Sequence, residues 1–374
     1  MNILITGGAG FIGSSLTIKL LKENHKITIL DNLSTQIHGE NPETSELYLK
    51  IKEKVTFVKG DVRNTEDWLK VLPNQDAIIH LAAETGTGQS MYEIERYIDV
   101  NTKGTAIFLD YLANNKTNVK KVVIASSRSI YGEGKYSDSK GEFHYPTERL
   151  DTNMQKGQFE PENKGEILKV VATDEDSKIQ PISIYGITKQ VQEQIVLNVC
   201  KSIGISGVAL RFQNVYGPGQ SLTNPYTGIL SVFSNLILNN KPINIFEDGL
   251  ESRDFVYIDD VVDSIYLSLF NDKANNKSYN VGTGVATTVS EVAAILQKCY
   301  SITVPTTVSG NYRLGDIRHN FAAIELIKKD LNWNPKMDIN TGLKLFSEWV
   351  LSQKLPKLEY EKSLSEMKDK GMFK

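Results

Sequence analysis

Tyr185 and Lys189 stand four residues apart in the run Tyr-Gly-Ile-Thr-Lys. On a helix that spacing puts both side chains on one face. A free tyrosine titrates near pH ~10, and a neighbouring ammonium stabilises its phenolate, so the pair can act as a general base toward a hydroxyl proton. Ser126-Ser127 closes the apolar run Lys121 to Ser127. A hydroxyl there can donate to the same substrate oxygen. Tyr-x-x-x-Lys also arises by chance, so a surface helix with an incidental Tyr and Lys is the competing reading of this motif alone.

A second chemical feature precedes it. Residues 4 to 13 read Leu-Ile-Thr-Gly-Gly-Ala-Gly-Phe-Ile-Gly, with Gly7, Gly10 and Gly13 at GxxGxxG spacing. Asn2 to Ile5 is a short apolar strand, and Phe11, Ile12, Leu16, Leu20 and Leu21 give the following segment a helical stripe. Strand, glycine turn and helix together form a pyrophosphate cradle: the turn brings the backbone close, and free N–H groups at the helix start face the anion. A further strand, Lys26 to Leu30, ends in Asp31, 18 residues beyond Gly13. That is where a dinucleotide fold places the acid that accepts hydrogen bonds from the adenosine ribose. A 2′-phosphate would meet a like charge there, and Asn32-Leu33-Ser34 supplies no cation. The cofactor expected is NAD rather than NADP, and its positive nicotinamide would favour the Tyr185 phenolate further.

The elements needed to position these groups are present. Val55 to Val58, Ala77 to Ala83 and Lys121 to Ser127 are nearly continuous apolar runs, as strands buried on both faces of a parallel sheet require. Helical patterns at Glu93 to Leu112 and Thr188 to Ser202 alternate with them. This order predicts an α/β, Rossmann-type doubly wound parallel sheet over residues 1–210. Beyond Val208 to Phe212 the texture becomes mixed, predicting a smaller C-terminal substrate-binding portion over 211–350. A charged tail, 351–374, reads as a solvated helix or frayed end without assigned function. Residues 133–181 lose apolar periodicity and read as a loop-rich insertion: a lid, an oligomer contact or a tolerated excursion.

Composition sets bounds. The chain has 374 residues, a net charge of −3 and scattered basic residues, which gives no sign of a nucleic-acid groove. Cys200 and Cys299 lie far apart in apolar helical contexts, arguing against a disulfide scaffold or cysteine metal site and for a reducing compartment. No apolar run has the length to span a bilayer, and a strand beginning at residue 2 leaves no room for a signal peptide. A cytoplasmic enzyme with no membrane or nucleic-acid partner is expected.

With these residues in place, the chain resembles the extended short-chain dehydrogenase/reductase family, specifically its NAD-dependent nucleotide-sugar epimerases and dehydratases, from Asn2 to about Trp349. The resemblance is carried by Thr6 to Gly13, Asp31-Asn32, Gly60 to Arg63, His80 to Ala83, Asn101 with Gly104-Thr105, Ser126-Ser127 before Ile130-Tyr131-Gly132, and Tyr185 with Lys189. It continues through Leu210 to Phe212, Asn214 to Gly219, Arg253 to Val256, and Arg313 with Gly315-Asp316. It implies that Tyr185, Lys189 and Ser127 are catalytic. Asp61 and Val62 would meet the adenine, Leu81, Ala82 and Ala83 the middle of the cofactor, and Lys189 the nicotinamide ribose. Phe11, Ile12, Asn32, Asn101 and Ser126 complete the implied cofactor contacts. Asn214, Arg253 and Arg313 would hold the diphosphate end of the sugar nucleotide, with Thr87, Ser127 and Arg128 also against substrate. An arginine's charge and planar donor fork suit a phosphate.

Within that family, the 4,6-dehydratases carry Asp-Glu directly after the catalytic hydroxyl residue, where this chain has Arg128-Ser129. The 3,5-epimerising relatives need a further acid–base pair, often with a cysteine, and neither cysteine here sits in a matching motif. A 4-epimerase is the expectation, with a UDP-hexose epimerase or a 4-keto-sugar reductase as the alternatives and a non-catalytic NAD sensor as a more distant one. Ala83 to Ser90, Ala125 to Gly134 and Gly315 to His319 are similar to the branch acting on dTDP-L-rhamnose. That branch also carries an insertion before its catalytic tyrosine, and 54 residues separate Tyr131 from Tyr185. Relatives often hold cysteines there, suggestive of a small zinc ribbon; Ser137, Lys140, Pro161 and Asn163 stand roughly at those places, so no metal is expected.

His80 reads as packing beneath the cofactor, while Glu84 either orients polar groups of the site or caps the next helix. His25, His38, His144 and His319 show no ligand-like spacing. A homodimer is expected on family analogy, pairing the two long helices across a two-fold axis. Ile94, Tyr97, Ile98, Thr105, Phe108, Leu109 and Leu112, with Val191, Ile195, Val196 and Val199, exceed one sheet-facing stripe.

Overall fold

The computed structural model describes residues 1–222, 228–354, 365–366, 368–371 and 373–374. Seven strands form one parallel sheet: β1 (Asn2–Thr6), β2 (Lys26–Asp31), β3 (Thr56–Lys59), β4 (Ala77–His80), β5 (Lys121–Ser127), β6 (Ser206–Phe212) and β7 (Lys277–Val281). Their order is β3-β2-β1-β4-β5-β6-β7. The winding reverses between β1 and β4, and the crevice beyond the carboxyl ends of those strands is where a doubly wound sheet binds its ligand.

The pleat explains the apolar runs. Ile3 and Ile5 of β1 enter one core cluster, while Leu4 enters another on the opposite face. β5 is buried at all seven positions, so it has no polar side to show. Helices Phe11–Lys22 and Ile258–Phe270 cover one face; Gly104–Asn114 and Ile184–Ser202 cover the other.

The expected elements form with shifts of a few residues. Ala77 to Ala83 is strand as far as His80; Leu81 to Ala83 leave the sheet and line the cleft instead. The helix expected from Glu93 runs from Ile94 to Asn114 with a π-helical stretch at Ile98–Lys103. Chain order alone does not divide the molecule at residue 210. β6 continues to Phe212, and helix Ile258–Phe270 and β7 belong to the Rossmann layers.

The insertion is more ordered than its sequence suggests. Tyr136–Ser137 pairs with Phe143–His144 and with Lys169–Val170, and Glu162–Asn163 forms a hairpin with Glu166–Ile167. Arg149 and Glu160 tie it to the C-terminal portion. Arg149 pairs with Glu247 at 2.8 Å, and Glu160 with the fully buried Arg318 at 2.6 Å. The tail departs from the expected frayed end. Much of 351–374 lies outside the described residues, but Phe373 is buried and Lys374 pairs with Asp151 at 2.5 Å.

Candidate active site

One cleft of about 460 Å³ opens over the carboxyl ends of the central strands. Its floor is the glycine turn. Gly7 has φ +66°, and a β-carbon there would lie 2.8 Å from the Ala82 nitrogen. At Gly13 a β-carbon would lie 2.3 Å from the Gly7 carbonyl oxygen, so helix and turn can pack only around a glycine. Gly10 caps helix Phe11–Lys22 without a side chain that could satisfy its first N–H groups. Those donors are available to an anion.

Asp31 is buried at the tip of β2. Its carboxylate accepts from the Ala9 N–H at 2.9 Å and the Leu33 N–H at 2.8 Å, which holds the acid against the cleft. Burial raises its pKa, with the two N–H bonds opposing. The glycine cradle and this anchored carboxylate fit an adenine dinucleotide with a free ribose 2′-hydroxyl.

At the far end, helix Ile184–Ser202 starts at Ser183, whose hydroxyl oxygen accepts from the Gly186 N–H. Its first turns carry Tyr185 and Lys189 into the cleft. Lys189 donates to the Ala125 carbonyl at 2.9 Å, and its ammonium lies 6.0 Å from the Tyr185 ring centroid. Burial lowers the Lys189 pKa to about 7. Burial raises that of Tyr185, while a hydrogen bond with Ser127 and the charge of Arg128 act the other way. Tyr185 bonds Ser127, Lys189 bonds the carbonyl of Ala125 two residues before it, and all of these residues line the cleft, so Tyr185, Ser127 and Lys189 converge at the end of β5. Groups so arranged can transfer a proton beside a dinucleotide cradle.

Cations gather next to it. Arg128 donates to the Asn214 side chain at 2.9 Å. Burial first, and repulsion from Arg253 second, push the Arg128 pKa down to about 10. Arg253 donates to the backbone carbonyls of Ser252, Ile317 and Arg318 and to Asp316 at 3.1 Å. Clustered guanidiniums at a cleft are relieved by a bound phosphate.

A model of the "NAD dependent epimerase/dehydratase family" matches residues 3–153 and 162–282. The chain belongs to that family. It is 35% identical over 353 residues to dTDP-L-rhamnose 4-epimerase of Burkholderia thailandensis, covering 94% of this chain and 95% of that protein. It is 29% identical to a putative UDP-glucose 4-epimerase of Methanocaldococcus jannaschii, covering 93% and 98%. Among solved structures it is similar to UDP-glucose 4-epimerase with UDP-glucose from Thermotoga maritima, with TM-score 0.76, 28% identity, and 94% and 99% of the two chains covered. A second is UDP-glucose 4-epimerase of Thermus thermophilus in complex with NAD, with TM-score 0.73, 25% identity, and 95% and 100% covered. The protein is thus an NAD-dependent nucleotide-sugar enzyme of the epimerase type.

Against this family background, most residues named from the sequence meet in the cleft. Gly7, Gly10, Phe11, Ile12, Gly13, Asp31, Asn32, Val62, Leu81, Ala82, Ala83, Thr87, Ser126, Ser127, Arg128, Tyr185, Lys189 and Asn214 all line it. Four named residues stand elsewhere. Asp61 does not line the cleft, and its carboxylate accepts from the Nε and one terminal nitrogen of Arg63, at 2.9 and 2.7 Å. Asn101 is fully buried, bonds the Glu84 backbone in both directions and donates to Thr188, so it braces the loop after β4 from behind. Arg253 sits behind Asp316. Arg313 faces a small neighbouring pocket shared with Thr87, Ser183 and Asp316.

His80 bonds Thr6 at 2.7 Å and Thr105 at 3.0 Å, and burial lowers its pKa to about 3; it is a neutral packing group. Glu84 lines the cleft and pairs with Arg96 at 2.9 Å, and the cap of the next helix is Gly86 instead. Where dehydratases carry Asp-Glu, Arg128 and Ser129 are bonded to Asn214 and Ser127 and offer no acid–base pair. His144 does have carboxylate neighbours that its sequence spacing hides. Asp138 and Glu142 bring a ligand atom within 4.8 Å, but the Asp138 oxygens already accept from His144 and from the Lys140 and Glu142 N–H groups.

Sequence reasoning missed the buried frame that fixes the catalytic helix. Glu193 accepts from Ser126 at 2.6 Å and pairs with Arg211 at 2.6 Å; Arg211 also donates to the Tyr131 hydroxyl at 2.6 Å. The Tyr185 backbone N–H donates to Ser90 at 3.1 Å, and the Tyr97 ring meets Tyr185 edge-on at 6.5 Å. The signal the sequence does carry is an acid at position 193, one turn beyond Lys189 and so on the same helix face.

Proposed function

We propose that the protein is a 4-epimerase of a dTDP-6-deoxy-L-hexose, interconverting dTDP-L-rhamnose and its C4 epimer through a transient 4-keto sugar. The observation that carries the reading is the meeting of Tyr185, Ser127 and Lys189 beside a cradle for NAD, with no carboxylate pair at Arg128-Ser129 to eliminate the 6-hydroxyl. Bound NAD supplies the hydride acceptor and, on return, the donor. Tyr185 takes the C4 hydroxyl proton and later gives it back. Ser127 donates to the same oxygen, and the Lys189 charge favours phenolate. Arg128 and Asn214 in the cleft, with Arg313 from the neighbouring pocket, grip the diphosphate, while Arg253 holds the Asp316 to Arg318 segment behind them; the sugar is left free to turn its other face to the cofactor.

The B. thailandensis relative supports the rhamnose branch over the UDP-hexose reading. Comparing kcat/KM for dTDP-L-rhamnose and UDP-glucose tests that choice. A value for UDP-glucose at or above that for dTDP-L-rhamnose overturns it.

A homodimer is part of the proposal. Ile94, Ile98 and Ile187 are 46%, 47% and 44% exposed on the two long helices, an apolar face that a second copy would cover. Tyr97, Thr105, Phe108, Leu109 and Leu112 are buried within the chain and do not contribute. A cytoplasmic setting fits the two free thiols. Among the described residues no helix is long and apolar enough to cross a membrane.

A further inference from the structure

Arg313 reaches the substrate side of the molecule from a loop, Tyr312 to Asp316, that no long helix or strand supports. Its guanidinium lies 5.0 Å from the Phe246 ring centroid, and its buried Nε–H has no hydrogen-bond partner among the described residues. Phe246 also packs against Phe373, with ring centroids 5.0 Å apart and the rings tilted by 58°. Phe373 is 7% exposed, although it stands in a charged tail. The same tail is sewn to the loop by backbone. Arg313 bridges Phe373 in antiparallel register, the Tyr312 N–H donates to the Lys374 carbonyl at 2.9 Å, and the Lys374 N–H donates back at 3.0 Å. Two further contacts fasten the tail to other parts of the chain. The Lys370 ammonium lies 4.7 Å from the Tyr92 ring centroid, and the Lys374 ammonium pairs with Asp151 of the insertion.

We infer that the described tail residues 370, 371, 373 and 374 form a strap beside Arg313, and that Phe373 is a positioning residue that sets the attitude of Arg313 toward the nucleotide diphosphate. The physical argument is that a guanidinium is directed by what it stacks on. Phe246 is the surface beneath Arg313, and Phe373 keeps Phe246 from turning away. The inference rests on the reading of Arg313 as a diphosphate ligand, made under the proposed function.

The test uses the full-length, NAD-loaded enzyme and free dTDP as the binding probe, measured by calorimetry alongside steady-state kinetics. F373A is expected to weaken dTDP and raise KM for the sugar nucleotide by about five- to twentyfold, the scale of one misdirected charge-assisted hydrogen bond, with kcat changed less than about twofold. F373Y, which keeps the ring, is expected to restore affinity. F246L, which removes the stacking surface, is expected to match F373A. In the R313A background, F373A should cost no additional affinity, because the two residues act through one contact. Unchanged dTDP affinity in F373A, or full additivity with R313A, would overturn the strap while leaving Arg313 as a ligand. Unchanged dTDP affinity in R313A itself would overturn the diphosphate reading and the strap with it.

Discussion

In the proposed reaction the Tyr185 hydroxyl carries the proton, and Phe at that position keeps the ring while removing that hydroxyl. Y185F is expected to retain NAD and substrate binding and to lose about 10²–10⁴-fold in kcat, the usual range for a general base. Near-normal turnover would remove Tyr185 from its role. Lys189 carries a pH signature of its own. Burial holds its pKa at about 7, below the ordinary lysine value. Below that pH the folded chain carries a buried ammonium at full penalty. As pH rises from about 7 toward the ordinary lysine range, the unfolded chain keeps the proton while the folded one sheds it, so the folded state gains stability. Thermal midpoints of cofactor-stripped protein are expected to rise across that window and to flatten in K189M; equal slopes in both would contradict the assignment. On the reading of Asp31 as the ribose acid, its charge would repel a 2′-phosphate, so D31A is expected to weaken NAD and narrow its preference over NADP in a cofactor titration.

At the scale of elements, the glycine turn and the catalytic helix decide whether those residues meet. G13A places a methyl 2.3 Å from the Gly7 carbonyl, so the start of helix Phe11–Lys22 must move. The expected result is protein that purifies without bound NAD, read from its absorbance and by mass spectrometry of the released cofactor; a full complement of NAD would contradict the tight turn. Much at this scale was legible in the sequence. The apolar runs at Ile3 to Ile5, Ile78-Ile79 and Val122 to Ile124 became central strands because burial on both faces leaves no room for polar residues. Tyr185 and Lys189 were legible because one helical turn separates them. Contacts made across the fold left no such trace. Glu193 and Arg211 are 18 residues apart on a helix and a strand, and Phe373 reaches Arg313 from 60 residues away. The insertion concealed its order because strands of two residues are too short to show a period.

The whole molecule joins a seven-stranded sheet to a smaller portion that brings arginines over one end of it. In the proposed dimer the exposed isoleucines on the long helices would be covered by a second copy. I98E is expected to turn a dimer into a monomer by light scattering at micromolar concentration, with NAD content unchanged; a wild-type monomer would remove the dimer. The central claim is that hydride leaves C4 and returns to it without leaving the protein. The direct measurement incubates purified enzyme, with no cofactor added, with dTDP-L-rhamnose deuterated at C4, and follows both epimers by mass spectrometry and NMR. The expected result is many turnovers to a mixture of C4 epimers in which the deuterium remains at C4. A single enzyme equivalent of ketone, turnover that begins only when NADPH is supplied, or loss of the label to solvent would contradict it.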